Sequence, residues 1–442
     1  MIKKLGVLFL AFSLFSTSFS QEFDKQKLEQ YLEAYESAEK VMGSLTISVE
    51  GKPVFQKAIG YMDLEEGIPA SPQTKYRIGS ISKTFTAVLI MKAIEEGKLN
   101  LKTTLNTFFT EIPNADEITV RHLLQHRSGI YNFTNSPDYL TYNTQTKSKP
   151  EMLQLIIDGG TVFAPDSKAE YSNSNYVLLT WILEAVYEKP FSEIMNEKIT
   201  QPLGLRNTYL GGAIRDAEGE AYSYEMQDGW VKSTETDMSI PLGAGALVSN
   251  GEDLGKFAHG LFEGKLISAE SLEQMKTFQD GIGLGLFVIP FGDKKSYGHG
   301  GGIDGFRSLM SYFQDEKMTF VFLSNGAEIN PNDIALGGLS AFFGQDYEIP
   351  VFSNEQLDED ELERLTGTYG ADGFPLDIKI SKKGKRLFGQ ATGQPEFPLT
   401  YEGDHVFSFN QAGLKIEFDP ENDKIRMKQS GMTFELEKKA KE

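Results

Sequence analysis

The chain has no cysteine among its 442 residues. Disulfide frameworks, thiolate nucleophiles and thiolate metal sites are thereby excluded. Histidine is scarce too, with five residues. His122 and His126 stand four apart on a segment read as helical, a spacing that suits a metal pair. No glutamate occupies the H-E-x-x-H position, however, and no third ligand follows, so no metal and no cofactor are expected. Walker-type phosphate loops are absent, and GHGGGIDGF reads as strand rather than as a strand-to-helix nucleotide loop. Basic residues are in deficit, with 43 Lys and Arg against 63 Asp and Glu, a net charge of −20. So acidic a body repels phosphate backbones, which argues against nucleic acid as a partner. Past residue 20, no apolar run reaches the roughly 20 residues a membrane-spanning helix needs.

Residues 1–20 read as an export signal. Lys3 and Lys4 form a positive start, Leu5 to Phe15 is a short apolar run, and Ser18 and Ser20 are small residues before Gln21. No cysteine follows that junction, so lipid attachment there is not expected. The expected location is periplasmic or secreted. No membrane span remains once the signal is removed.

The length suggests two domains. Residues 24–40 read as an amphipathic helix, with Leu28, Tyr31, Leu32 and Tyr35 at helical spacing. Residues 43–63 read as a hairpin turning at Glu50-Gly51-Lys52. Residues 76–100 pass from an extended run through Gly79 into a helix that Gly97 can stop. A mostly helical middle follows to about residue 275. Strand signals return at 281–290, 296–313 and 318–325, and a helix near 332–344 closes the unit. An antiparallel sheet built from both ends of this unit and covered by helices is the simplest closure. It brings residues near 80 and near 300 together. Residues 346–361 read as a linker. From 362 to 442, period-2 alternation such as Leu414/Ile416/Phe418 points to a small all-β barrel. Its turns are expected at Lys383-Gly384, Glu402-Gly403, Glu421-Asn422 and Ser430-Gly431.

Three motifs carry chemistry. Ser80-Ile81-Ser82-Lys83 fits S-x-x-K where an extended run turns into a helix. A serine hydroxyl needs a base beside it, and i and i+3 share a helix face. Burial and the positive helix start favour a neutral Lys83, and free backbone N–H groups there can hold an oxyanion. Ser37-Ala38-Glu39-Lys40 also fits the pattern. It lies in the first helix without a glycine-turned entry and reads as a solvated face. Tyr171-Ser172-Asn173 is the only Y-x-N, in a polar loop before a helical run. Its tyrosine can relay a proton and its asparagine can bind a substrate amide. His299-Gly300-Gly301 is the only H-x-G, and its glycines permit close approach of a ligand backbone. Each motif alone is also compatible with a structural role.

Taken in order, the three motifs resemble those of class C serine β-lactamases, DD-carboxypeptidases and their esterase and D-aminopeptidase relatives. The likeness runs over about residues 40–345, supported by ITVRHLLQHRSGI (118–130), QPLGLRNTYL (201–210) and PLGAGALVSNGEDLGKF (241–257). It implies an α+β β-lactamase/transpeptidase-like fold, with a helical subdomain, over residues 21–345. The C-terminal unit resembles a lipocalin-like barrel. The likeness makes Ser80 the acylated nucleophile, Lys83 its proton acceptor and Tyr171 the proton shuttle. Asn173, His299, Gly300 and Gly301 then seat the substrate, and the N–H groups of Ser80 and Gly302 form the oxyanion hole. H-G-G stands where class C enzymes carry K-T-G, which favours D-amino-acid peptides or small esters over β-lactams. A β-lactamase is the alternative. So is a non-catalytic penicillin-binding or cell-wall-binding protein. The expected partner is a small-molecule or peptide substrate, cell-wall peptide included. At position 299 a positive charge would fade as pH rises through about 6.5. A bland packing role for this histidine is the other reading. Loops 131–160 and 211–240 carry no decodable motif.

Overall fold

The computed structural model describes residues 23–439, apart from 228, 353–356, 372–373, 375, 410–411 and 430–431. The expected export segment and the Ser430-Gly431 turn lie outside the described residues. The first helix, Lys25–Ser37, buries Leu28, Tyr31, Leu32 and Tyr35, and Asp24 caps its start. The helix ends at Ser37. Ser37-Ala38-Glu39-Lys40 is therefore a helix end rather than a helical face, and the Lys40 ammonium is held by Glu328 at 2.7 Å.

Among the described residues, strands from both ends of the N-terminal unit form one antiparallel sheet of six. Their order is Phe287–Phe291, Lys294–Ile303, Phe306–Phe313, Met318–Ala327, Val41–Val49 and Lys52–Ile59. Val41–Val49 pairs with Met318–Ala327 and so closes the sheet across the chain. Glu50 and Gly51 turn the first hairpin, both at positive φ. One face of the sheet packs on the first helix and Pro331–Phe343. The other carries the main core, where the largely buried helices Ser82–Glu95 and Asn173–Tyr187 meet Gly251–Phe262. Phe85 stacks on Phe257 at 3.6 Å between ring centroids. The expected strand at 281–290 is strand only over Phe287–Phe291. The preceding glycines turn instead, with Gly285 at φ +71°.

The C-terminal unit opens on a short helix, Glu359–Leu365, that crosses from the acidic stretch into the β region. Among the described residues, nine strands follow in one antiparallel sheet. Its two edges, Phe397–Pro398 and Thr400–Gly403, are separated by Leu399 alone, so the sheet curls nearly closed. Phe397 stacks on Phe409 across that gap at 4.6 Å, and Ile416, Leu436 and Ile425 fill the inside.

Candidate active site

Strand Tyr76–Arg77 runs into a 3-10 turn, Gly79–Ile81, and then into helix Ser82–Glu95. The turn needs glycine at 79. Its φ is +50°, and a Cβ there would lie 2.8 Å from the Gly302 nitrogen. Gly301 is equally constrained, because a Cβ would lie 2.2 Å from the Ile78 oxygen and 3.1 Å from the Ser80 nitrogen. The H-G-G strand thus lies against the Ser80 turn, with Gly302 close to Gly79 and Gly301 close to Ser80. Phe287–Phe291 pairs only as far as Gly298, so residues 299–303 face no strand on that edge among the described residues.

The Ser80 Oγ sits between two partners. Tyr171 Oη donates to it at 2.8 Å and Lys83 Nζ lies 3.0 Å away. Lys83 Nζ also donates to Asn173 Oδ1 and to the Ala244 carbonyl, each at 2.7 Å. Those two oxygens only accept, so they use two amine hydrogens and leave the third position of the nitrogen for Ser80. Complete burial holds the Lys83 pKa well below its ordinary value. A neutral amine satisfies both carbonyls and still offers a lone pair to the serine proton. Burial drives the Tyr171 phenol upward, so it stays protonated and donates.

Asn173 is held by Thr134 Oγ1 through its Nδ2 and by Asn132 Oδ1 through its backbone N–H. Its oxygen is committed to Lys83, which makes it first a positioner of the base. Ala244 is presented by a close-packed turn: Thr86 Oγ1 donates to the Gly243 carbonyl at 2.8 Å and the Gly243 N–H donates to Thr180.

His299 departs from the charge expectation. Its ring is buried against Phe287 and 6.4 Å from Tyr171. Burial, aided by Lys83, pushes its pKa down to about 3. Nδ1 meets the Gly300 carbonyl, and Nε2 has no partner among the described residues. The residue is then neutral at physiological pH and supplies no cation that fades near pH 6.5. Gly300 stays on the exposed side of the same strand.

His126 was not singled out for this site. Helix Val120–Leu124 ends before it, and its φ is +56°, so His122 and His126 do not share a helix face. His122 instead closes a capping box with Thr119. His126 is buried, stacks under Tyr171 at 4.3 Å, and accepts the Ser172 N–H at Nδ1. Burial lowers its pKa well below the usual value. Its only sequence signal is its place in QHRSGI. Arg77 was missed as well. Buried three residues before Ser80, it donates to Asp304, Glu235 and the carbonyls of Thr236 and Gly212. It ties the strand leading to Ser80 to the turn that follows the H-G-G strand.

A cleft of about 650 Å³ opens over Ser80, Asn173 and Gly302. Both undecoded loops wall it, one through Phe133, Thr134 and Tyr139, the other through Glu225, Val231 and Lys232. Among the described residues no cluster of three or more His, Asp or Glu could hold a metal, and no helix is long and apolar enough to cross a membrane.

A buried lysine and a tyrosine converging on one serine at a helix start define a serine hydrolase working by acyl transfer. The beta-lactamase family model matches residues 28–342, and the chain belongs to that family. It is 27% identical over 257 residues to the teichoic acid D-alanine hydrolase of Staphylococcus aureus (strain MRSA252), covering 56% of this chain and 62% of that one. D-amino acid amidase from Ochrobactrum anthropi SV3 superposes with a TM-score of 0.65 at 28% identity, over 73% of this chain and 99% of the amidase. The octameric penicillin-binding protein homologue from Pyrococcus abyssi superposes with a TM-score of 0.66 at 25% identity. That match covers 94% of this chain and all of the homologue, and so extends into the C-terminal unit.

Proposed function

We propose that the protein hydrolyses amides or esters of D-amino acids through an acyl-enzyme on Ser80. The observation that carries this is the placement of Ser80 Oγ between Tyr171 Oη at 2.8 Å and Lys83 Nζ at 3.0 Å, with both other Lys83 bonds ending on carbonyl oxygens. Ser80 passes its proton to the Lys83 lone pair as Oγ bonds to the substrate carbonyl carbon. The carbonyl oxygen becomes an oxyanion between the N–H groups of Ser80 and Gly302. Tyr171 hands a proton to the departing amine or alcohol and is refilled from Lys83. Water then attacks the acyl-enzyme by the same relay. The D-amino acid preference rests on the likeness to the amidase and to the D-alanine hydrolase. Within this reading the protein is exported and meets cell-wall peptide or a related D-alanyl compound outside the cytoplasm.

The test is a panel of D- and L-amino acid amides, D-peptides, D-alanyl esters and a chromogenic cephalosporin. Turnover of D over L substrates is expected, with poor cephalosporin turnover. Turnover of the cephalosporin alone, or acylation without turnover of any member, overturns the reading.

A further inference from the structure

Lys83 Nζ meets three oxygens: Ser80 Oγ at the start of its own helix, Asn173 Oδ1 at the start of the second core helix, and the Ala244 carbonyl. The first two ride on helices. The third belongs to a single 3-10 turn, Leu242–Ala244. That turn is strained, because Leu242 has φ +40°, where a bulky residue is rarely found. Such a conformation persists only where its surroundings over-determine it.

Two threonines supply those surroundings. Thr86 and Thr180 are wholly buried. Thr86 Oγ1 donates to the Gly243 carbonyl at 2.8 Å, and Thr180 Oγ1 accepts the Gly243 N–H at 3.1 Å. A threonine hydroxyl inside a helix ordinarily turns back to the carbonyl four residues earlier. Thr180 does so, donating to the Tyr176 carbonyl at 2.7 Å, which leaves its lone pairs for the N–H. Thr86 lies 3.3 Å from its own such carbonyl, that of Ser82, and closer to Gly243, so its proton is directed outward. Both backbone polar groups of Gly243 are thus satisfied by threonine hydroxyls. The contact admits no side chain at 243: a Cβ would lie 2.4 Å from Thr180 Oγ1 and 2.5 Å from Thr86 Oγ1.

Thr86 stands one turn beyond Lys83 on Ser82–Glu95, and Thr180 stands on Asn173–Tyr187, the helix that opens on Asn173. The two helices that present Lys83 and Asn173 therefore also fix the residue before Ala244. We infer that Thr86 and Thr180 are positioning residues for the reaction, their hydroxyls clamping Gly243 so that the Ala244 carbonyl holds the Lys83 amine in line with Ser80 Oγ. The inference rests on the acyl-transfer reading above and adds to it two buried residues that substrate does not reach.

The full-length protein and its Thr86→Val, Thr86→Ser, Thr180→Val and Thr180→Ser variants are reacted with a neutral fluorophosphonate. The maximal rate of Ser80 modification is separated from the concentration that gives half of it. Valine keeps the shape and removes the hydroxyl, whereas serine keeps the hydroxyl and removes a methyl. In either Val variant the maximal rate is expected to fall about tenfold or more, with the half-saturating concentration within about twofold of wild type. The Ser variants are expected to recover most of that rate. Ser variants as slow as their Val counterparts, in proteins whose circular dichroism matches wild type, would show that the threonines only pack, and overturn the inference. So would Val variants with the wild-type maximal rate. Should one Val variant not fold, the comparison at the other site decides. Either failure leaves the acyl-transfer reading intact, whereas a wild-type Ser80 that does not react with the fluorophosphonate overturns both.

Discussion

At the scale of single residues, burial decides what each titrating group does. Lys83 is pushed down, Tyr171 up, and His126 and His299 down, in each case chiefly by desolvation. The groups that touch the Ser80 hydroxyl are thus neutral and exchange protons. His299, at about 3 in the fold and about 6.5 in the unfolded chain, takes its proton first when unfolded. Its contribution to stability is complete above about pH 6.5 and is lost as pH falls toward 3. The unfolding midpoint should therefore drop over that range, and less steeply in His299→Gln, as thermal denaturation at stepped pH would record. The kcat/KM ratio of an anionic to a neutral ester should stay flat between pH 6 and 8, because His299 does not titrate there. A ratio that falls through pH 6.5 would return the charge to His299.

At the scale of elements, the site depends on segments held in contact across the chain. Arg77 fixes the strand before Ser80 to Asp304 at 2.9 Å, and the Asp304 carboxylate is buried. Arg77→Met leaves that charge without its partner, so a loss of about 3–5 kcal/mol is expected in urea denaturation. His126 holds the Y-x-N loop. His126→Phe keeps a ring under Tyr171 but strands the Ser172 N–H, at a cost of about 1–3 kcal/mol. Acylation should slow with KM little changed, and a variant with wild-type kcat would show the contact to be packing alone. The motifs on strongly patterned elements were legible in the sequence. Gly51 turns its hairpin, and Gly79 marks the passage into the nucleophile helix. What escaped was of two kinds. Leu247–Ser249 and the hairpin strands Tyr224–Met226 and Trp230–Lys232 have three residues each, too few to show a period. His126 and Arg77 act through partners 46 and 227 residues away, which no local pattern reports. The glycines of 281–286 look strand-like by composition, yet Gly285 turns beside Lys83, where a Cβ would lie 2.5 Å from that of Ala87.

At the scale of the whole molecule, the C-terminal unit approaches the cleft indirectly. Arg386 pairs with Glu328 at 3.3 Å and donates to the Met226 carbonyl. Met226 and Trp230 face a cavity between the units, whereas Glu225 and Val231 of the same hairpin wall the Ser80 cleft. Tyr347 and Phe352 pack on the first helix through Tyr31 and Tyr35. A truncation should therefore end near residue 358, not 345, and residues 21–358 should remain soluble and react with fluorophosphonate. Loss of that reaction in a folded truncation would make the barrel part of the site. Ser80, activated by Lys83, is expected to form the acyl-enzyme. The most direct test is peptide mapping by mass spectrometry after brief reaction with a D-alanyl ester or a fluorophosphonate. The adduct is expected on Ser80, absent in Ser80→Ala, whose turnover should fall by about 10⁶, and unaffected by Ser37→Ala. An adduct on Ser37 or any other residue, or undiminished turnover in Ser80→Ala, would show that Ser80 is not the nucleophile.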